Sequence, residues 1–338
     1  MLVELLCCPR CRGSLGLTSR SERLDAWAPL PRDHPWLRAG NTLDDRWTRE
    51  IVEGALSCSG CGVAYPVRAG IPRFATESVA ATDDPARKLS VRTSRCYTHL
   101  WQRKEQSMGW KYKPEGEFEY FLSRMGASRD KLPGRSLLDA GCGDGRLTSA
   151  LTALGLETVG IDLSEGVDIG YTNNRSPLVH YVQGDLLCPP FRTSSFDLVW
   201  SSGVLHHTRD TRLAFEECIA LVRPGGRLYV WLYDKEPEGR RALIRLLQKA
   251  PMVLKRTGSR LMALGNRTKR LVYAGNPVTS EQSFDEVYFW NLDMYGPEFR
   301  HLQSELDVRG WYDQRGFTNV VRRDRSVFGF GLTGDCPP

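Results

Sequence analysis

The chain has 338 residues, 41% apolar and 25% charged, proportions of a globular protein with room for one large domain and a small one. No run approaches eighteen apolar residues and the first ten residues lack the basic and apolar segments of a signal peptide, so a cytoplasmic chain without a membrane-spanning helix is expected. A net charge of +6 permits an anionic partner without requiring one.

Residues 1–75 read as a separate unit. It opens with Cys8-Pro9-Arg10-Cys11 and closes with Cys58-Ser59-Gly60-Cys61, and a Trp- and Pro-containing insert (Trp27, Pro29, Pro31, Pro35, Trp36) lies between. A helix is expected near residues 43–54. Two Cys-x-x-Cys pairs have the spacing of two knuckles sharing one tetrahedral zinc, with Cys8, Cys11, Cys58 and Cys61 as the ligands. Four thiolates leave no open position, so such a zinc is structural. A redox pair is the metal-free alternative. Cys7 adjoins the first pair, but the two-residue spacing favours Cys8. The other cysteines are scattered and read as core residues or free thiols. Residues 76–93 are polar and aperiodic, as in a linker, and residues 94–338 form the second expected domain.

From Leu137 apolar runs alternate with helix-like stretches. The expected strands lie at 136–140, 158–162, 178–182, 196–200, 227–232, 317–321 and 326–330, the last two paired as an edge. This order predicts an α/β fold, a doubly wound and mostly parallel sheet with crossover helices.

After the first of these strands comes Asp139-Ala140-Gly141-Cys142-Gly143-Asp144-Gly145, whose glycines let the backbone turn tightly beside a ligand. Asp139 precedes the first glycine, where it can pair with an ammonium group. Asp162 ends the next strand, placed to accept two ribose hydroxyls, and Asp185 follows the third, placed to accept from an adenine amino group. One acid for each of these groups describes S-adenosylmethionine better than a dinucleotide.

These residues resemble the class I S-adenosylmethionine-dependent methyltransferases, and the resemblance runs on through residues 196–207 and 221–228. It implies a seven-stranded Rossmann-like sheet. It also implies cofactor contacts from Asp139, Gly141, Cys142, Gly143, Gly145, Asp162, Leu163, Asp185, Leu186 and Ser201. Similar enzymes cover the cofactor with an N-terminal aromatic helix, a part that Tyr97 and Trp101 fit because their i, i+4 spacing puts both on one helical face. The flanks of the cysteine pairs, 5–15 and 58–72, resemble the zinc-ribbon family of tRNA-methyltransferase activators, whose members partner methyltransferases. A fused copy is therefore the expectation.

Departures bear on the acceptor. Ser202-Gly203-Val204-Leu205 stands where amine-methylating nucleic-acid enzymes of this class carry Asn/Asp-Pro-Pro-Tyr/Phe, and no Pro-Cys or Thr-Cys nucleophile is present. For a hydroxyl acceptor, His206 or His207 is the natural general base, with cofactor packing as the alternative role. Tyr233, just after the fifth strand, and His206 are expected to face the acceptor.

An insert of about 235–300 follows. From Gly239 to Val272 it holds ten Lys/Arg and no acid, interleaved with leucines at helical spacing, as in a pair of basic amphipathic helices. A cap over substrate, a nucleic-acid track and a contact with an anionic membrane all fit. The leading function is methylation of a small molecule on oxygen or nitrogen. An RNA or translation-factor methyltransferase and a non-catalytic cofactor-binding protein are the alternatives.

Overall fold

The computed structural model describes the whole chain apart from residues 1, 25–28, 44–46, 48, 76–84, 109–113, 175, 236–247, 249, 267–271, 274–275, 278–283 and 327. The N-terminal part begins with the one-turn helix α1 (Leu2–Leu5) and the strand β1 (Leu15–Arg23). A second short helix, α2 (Pro35–Arg38), precedes β2 (Glu50–Cys58), β3 (Ala64–Arg68) and β4 (Ile71–Pro72). These four strands pair antiparallel in sequence order.

The helix expected near 43–54 is corrected here, because Glu50–Gly54 belongs to β2. Pairing decides it: β2 is the inner strand between β1 and β3, and the β-branched Ile51 and Val52 suit a pleated surface. Gly54 has no room for a side chain, since a Cβ there would lie 2.5 Å from the Thr18 carbonyl oxygen. The linker reading of 76–93 is corrected in its second half. Residues from Pro85 onward open a 24-residue helix, α3 (Pro85–Met108), with a proline at its start, where a missing N–H costs nothing.

After α3 come α4 (Pro114–Met125), β5 (Ser136–Ala140), α5 (Arg146–Ala150), β6 (Glu157–Asp162), α6 (Gly166–Asn173) and β7 (Val179–Gln183). Then follow β8 (Phe196–Ser202), α7 (Thr211–Ala220), β9 (Val222–Tyr233), α8 (Met252–Asn266) and a two-residue ribbon, β10 (Val272–Tyr273) with β11 (Asn276–Pro277). The chain ends with α9 (Phe284–Tyr295), α10 (Glu305–Gln314), β12 (Thr318–Arg325) and β13 (Gly329–Asp335).

The large sheet has the order β12-β13-β9-β8-β5-β6-β7, parallel from β9 to β7 and antiparallel at β13 and β12. Four of the five residues of β5 are buried, Asp139 among them, as expected of a central parallel strand covered on both faces. The chain winds outward in both directions from β5, to β6 and to β8. The crevice beyond the strand ends is therefore widest there, where open α/β sheets bind ligands.

The two sheets share one core. Leu6, Leu56, Tyr65, Val67 and Phe74 fall in the same apolar cluster as Val182, Leu187, Phe191 and Leu138. Phe74 N–H donates to the Gln183 carbonyl at 2.8 Å, and Arg73 bridges in parallel to Gln183, so the N-terminal sheet abuts the otherwise open edge of β7. Arg73 also grips Asp168 with two hydrogen bonds, of 2.9 and 2.5 Å. Covering β7 removes an edge that would otherwise template wrong pairing.

Of the insert, α8 is described, while Arg240, Arg241, Arg245, Lys249, Arg267, Lys269 and Arg270 lie outside the described residues. The pair of basic helices therefore has one described member. α8 packs on α9, and both pack on α3 through Cys96, Leu100, Ala263, Val287, Tyr288 and Leu292. Together they roof the crevice at the strand ends.

Candidate active site and cysteine cluster

Under that roof lies a cavity of about 580 Å³. One wall comes from the loops after β5, β6 and β7 and from α3: Gly141, Cys142, Asp162, Leu163, Asp185, Leu186, Tyr97 and Trp101. The rest of the lining comes from α4, the ends of β8 and β9, α9 and the hairpin of β12 and β13. Its residues include Tyr120, Val204, His207, Trp231, Tyr233, Phe289, Trp290, Asn291, Asp293 and Phe328. Eight of the residues expected to touch the cofactor thus share one wall.

The first wall is held rigidly. Asp162 accepts from Gly143 N–H at 3.0 Å and, through its other oxygen, from Ser164 N–H at 2.8 Å and Ser164 Oγ at 2.6 Å. Burial raises its pKa, and these three donors oppose the rise. The glycine turn is tight for a physical reason. Gly143 has φ +56°, and a Cβ there would lie 2.5 Å from the Trp101 ring, so only glycine lets α3 close onto the turn. Trp101 stacks with Tyr97 at 6.3 Å and meets Phe289 at 5.5 Å, which joins the turn to the roof.

Four expected cofactor residues lie elsewhere. Asp139 is 4% exposed, does not line the cavity, and accepts from Thr148 Oγ1 at 2.6 Å. Desolvation pushes its carboxyl up to about 7. Ser201 is buried and donates to the Ala140 carbonyl at 2.9 Å, tying β8 to β5. Gly143 and Gly145 shape the turn from behind, Gly145 accepting from the Tyr181 hydroxyl at 3.0 Å.

A stability prediction follows for Asp139. Its carboxyl is neutral in the fold up to about pH 7 but ionises at 3.8 when exposed, so the fold binds the extra proton and stability falls as pH rises between those values. Asp139→Asn is expected to flatten that decline. Melting temperatures of both proteins measured from pH 4 to 8 check it, and parallel curves count against it.

The two histidines part company. His206 is sealed beneath the wall, its ring 4.0 Å from that of Tyr233, and it does not line the cavity, which corrects its expected place facing the acceptor. Burial and the neighbouring His207 and Arg300 hold it well below the ordinary histidine range. His207 does line the cavity. Its Nδ1 lies 2.8 Å from the Phe299 carbonyl, which accepts only a hydrogen bond, so Nδ1 carries the proton and Nε2 keeps its lone pair. Burial lowers its pKa to about 3, so it is a hydrogen-bond acceptor of little basicity.

Asp293, on α9, was not among the expected site residues. It lines the cavity, accepts from the Tyr97 hydroxyl at 3.1 Å, and is also hydrogen-bonded by Tyr233. Burial raises its carboxyl to about 6 against the pull of both tyrosines and Arg300. A lone acid within Phe289-Trp290-Asn291-Leu292-Asp293-Met294-Tyr295 was the available signal.

In the N-terminal sheet the Sγ atoms of Cys8, Cys11, Cys58 and Cys61 all lie within 4.8 Å of one another. Cys8 and Cys61 are 3.7 Å apart, Cys11 and Cys58 3.4 Å, close to the ~3.8 Å edge of a tetrahedron of thiolates on zinc. The Tyr65 hydroxyl lies 3.2 Å from Cys8 Sγ, and Gly13 and Gly60 leave the cluster uncrowded. Cys7 takes no part: its N–H donates to the Pro190 carbonyl across the junction of the two sheets.

Comparison with known families agrees with both halves. A methyltransferase-domain family matches residues 138–230, and a Trm112p-like protein family matches residues 1–70. The chain is 25% identical to the demethylmenaquinone methyltransferase of Renibacterium salmoninarum over 71% of its own length and 92% of that protein. It is 31% identical to the ubiquinone biosynthesis O-methyltransferase of Coxiella burnetii over 29% of this chain and 43% of that one, less than half of that relative's length. Among solved structures, a complex between the Haloferax volcanii Trm112 methyltransferase activator and a methyltransferase aligns with a TM-score of 0.41 and 16% identity, covering 67% of this chain and 94% of that one.

Proposed function

We propose that this S-adenosylmethionine-dependent methyltransferase, which carries its own Trm112p-like domain, methylates a hydroxyl of a small, flat acceptor. One observation carries the reading. A roofed cavity of about 580 Å³ joins the glycine turn and half-buried Asp162 to a lining rich in aromatic side chains that also carries Asp293. That volume suits a cofactor with a small second ligand, since pockets for such molecules run from about 300 to 1,000 Å³. The names of two curated relatives, a demethylmenaquinone methyltransferase and a ubiquinone biosynthesis O-methyltransferase, fit an aromatic acceptor.

On this reading Asp162 accepts the ribose hydroxyls, Asp185 and Leu186 frame the adenine, and Gly141 and Cys142 present backbone to the cofactor. Tyr97 and Trp101 cover it, and Asp139 supports the turn from behind. The cofactor supplies an electrophilic methyl group on sulfur. The chain's own residues position the acceptor between Trp231, Tyr233 and Phe289 and keep water away from it.

Cys8, Cys11, Cys58 and Cys61 hold a structural zinc, which needs a reducing compartment and so favours the cytoplasm. The docked N-terminal sheet serves the methyltransferase domain of its own chain by covering β7. Incubation with methyl-labelled cofactor and a cell extract split into RNA, protein and small-molecule fractions tests the reading. Label in the small-molecule fraction is expected; label confined to RNA or protein favours the second reading, an RNA or translation-factor substrate recognised through the Trm112p-like domain.

An anionic membrane surface is the partner that the insert favours. Val253, Leu254, Leu261 and Leu264 of α8 are 51–73% exposed and fall within one arc of the helix, with Arg260 exposed at its margin. Trp290 of α9, 58% exposed, also lines the cavity. The full chain is expected to sediment with phosphatidylglycerol vesicles and to lose that binding on the double substitution of Leu254 and Leu261 by serine. Binding that survives the substitution and disappears in salt points to a purely electrostatic contact.

A further inference from the structure

We propose that Asp293 is the proton acceptor for a hydroxyl-bearing methyl acceptor, held in place by the hydroxyls of Tyr97 and Tyr233 where α3, β9 and α9 meet on the cavity wall. The proposal rests on the hydroxyl-methylating reading above and adds the group that takes the proton.

Three side chains from segments far apart in sequence converge there. Tyr97 comes from the roof helix α3, Tyr233 from the end of β9, and Asp293 from α9 within the insert; all three line the cavity. The Tyr97 hydroxyl donates to Asp293 Oδ1 at 3.1 Å, and Tyr233 adds a second hydrogen bond. Two oxygens offer about four lone pairs, so two tyrosine donors leave acceptor capacity for a substrate hydroxyl. Both tyrosines are themselves braced. Tyr97 meets the His207 ring edge-on at 5.7 Å, and Tyr233 lies between the His206 ring at 4.0 Å and the Arg300 guanidinium at 4.4 Å. Asp293 stands among aromatic rings, those of Tyr97, Tyr233, Phe289 and Trp290, on the same cavity lining.

The groups facing Asp293 account for its basicity. Burial raises its carboxyl, and Tyr97, Arg300 and Tyr233 lower it, leaving it at about 6. Cys96 on α3 feels its charge, while the neutral His206 and His207 stand behind the tyrosines. An acid of that strength is ionised at neutral pH yet holds a proton far better than a surface aspartate, the balance a general base needs. His207, held near 3 with its Nδ1 proton on Phe299, is much the weaker base.

The step balances. The acceptor's O–H bond breaks and its proton passes to Asp293, while the oxygen lone pair forms the bond to the methyl carbon. The carbon–sulfur bond breaks with its electron pair staying on sulfur, so a sulfonium and a carboxylate become a neutral thioether and a neutral acid.

The test uses the full chain and two readouts. In infrared difference spectra taken across pH 4–8 with saturating S-adenosylhomocysteine, a carboxylic-acid band is expected to vanish with a midpoint near 6 and to be missing from Asp293→Asn. Phenol, whose hydroxyl can donate to the carboxylate, is expected to lower that midpoint by about half a unit or more, whereas anisole, which only displaces water, leaves it or raises it. Identical shifts with the two probes overturn the proposal, whether or not an acceptor is known.

The second readout is single-turnover labelling of the small-molecule extract fraction. Asp293→Asn is expected to slow it about 100-fold or more and to abolish the acid limb of its pH profile, with cofactor affinity unchanged and part of the rate restored in Asp293→Glu. A slowed variant that keeps the acid limb makes Asp293 a positioning residue only and overturns the proposal. Absence of label with the unaltered chain fails the hydroxyl-methylating reading instead, and leaves the phenol–anisole comparison to decide on Asp293.

Discussion

Cys58→Ser is expected to abolish zinc binding at the four-cysteine cluster and to lower the melting temperature more than substitution of a cysteine outside it. Structural zinc sites contribute ~10 kcal/mol or more of binding free energy at neutral pH, and that energy is folding energy where no site exists in the unfolded chain. Cys58 ends β2, the inner strand of the N-terminal sheet, and its sulfur lies among the other three. The consequence spreads because the core is shared: Leu6 and Phe74 belong to the cluster that contains Phe191 and Val182, and loosening the sheet uncovers the edge of β7. Loss of metal should therefore bring aggregation as well as local unfolding. Cys188→Ser, at an exposed cysteine outside the cluster, is the control and should leave metal content and melting unchanged. Metal analysis and calorimetric melting check the prediction. A Cys58→Ser chain that keeps its metal, or that melts where the unaltered chain melts, would sink it.

Asp162→Ala is expected to weaken S-adenosylhomocysteine binding by about 100- to 1,000-fold, read by isothermal calorimetry. Hydrogen bonds to a charged group contribute about 1.5–3 kcal/mol each, and two ribose hydroxyls would share this carboxylate. Its removal also frees Gly143 N–H and the Ser164 hydroxyl, which set the shape of the glycine turn. Asp162→Asn keeps an acceptor oxygen and should lose less. Affinity within about threefold of the unaltered chain in Asp162→Ala would show that the ribose hydroxyls are held elsewhere.

Much of the architecture was legible because it is written locally. The glycine turn, the acids 139, 162 and 185 at strand ends, and the apolar runs between them each lie within a few residues. They yield the mostly parallel sheet, and Asp162 and Asp185 among them line the cavity. The two cysteine pairs were legible for the same reason, since each knuckle closes on itself.

Pairing partners and burial were not legible. Residues 50–54 join a sheet because β1 and β3 flank them, a fact no helical pattern contains. Asp139 is diverted from the cavity by the Thr148 hydroxyl, and the roles of His206 and His207 diverge through one carbonyl, that of Phe299. The acceptor wall was the least legible part. Tyr120, Trp231, Phe328 and the α9 pair Phe289 and Asp293 come from four separate segments, which only the tertiary packing brings to one cavity.

The central claim is that a small hydroxyl receives the methyl group, and the product's own chemistry tests it most directly. Cofactor carrying a carbon-13 methyl, the full chain and a cell extract would be combined, and the small-molecule fraction examined by proton–carbon correlation NMR. The account predicts a new methyl signal in the methoxyl region, absent with Asp162→Ala. A labelled methyl on nitrogen or carbon, or one found only in RNA or protein, would contradict it.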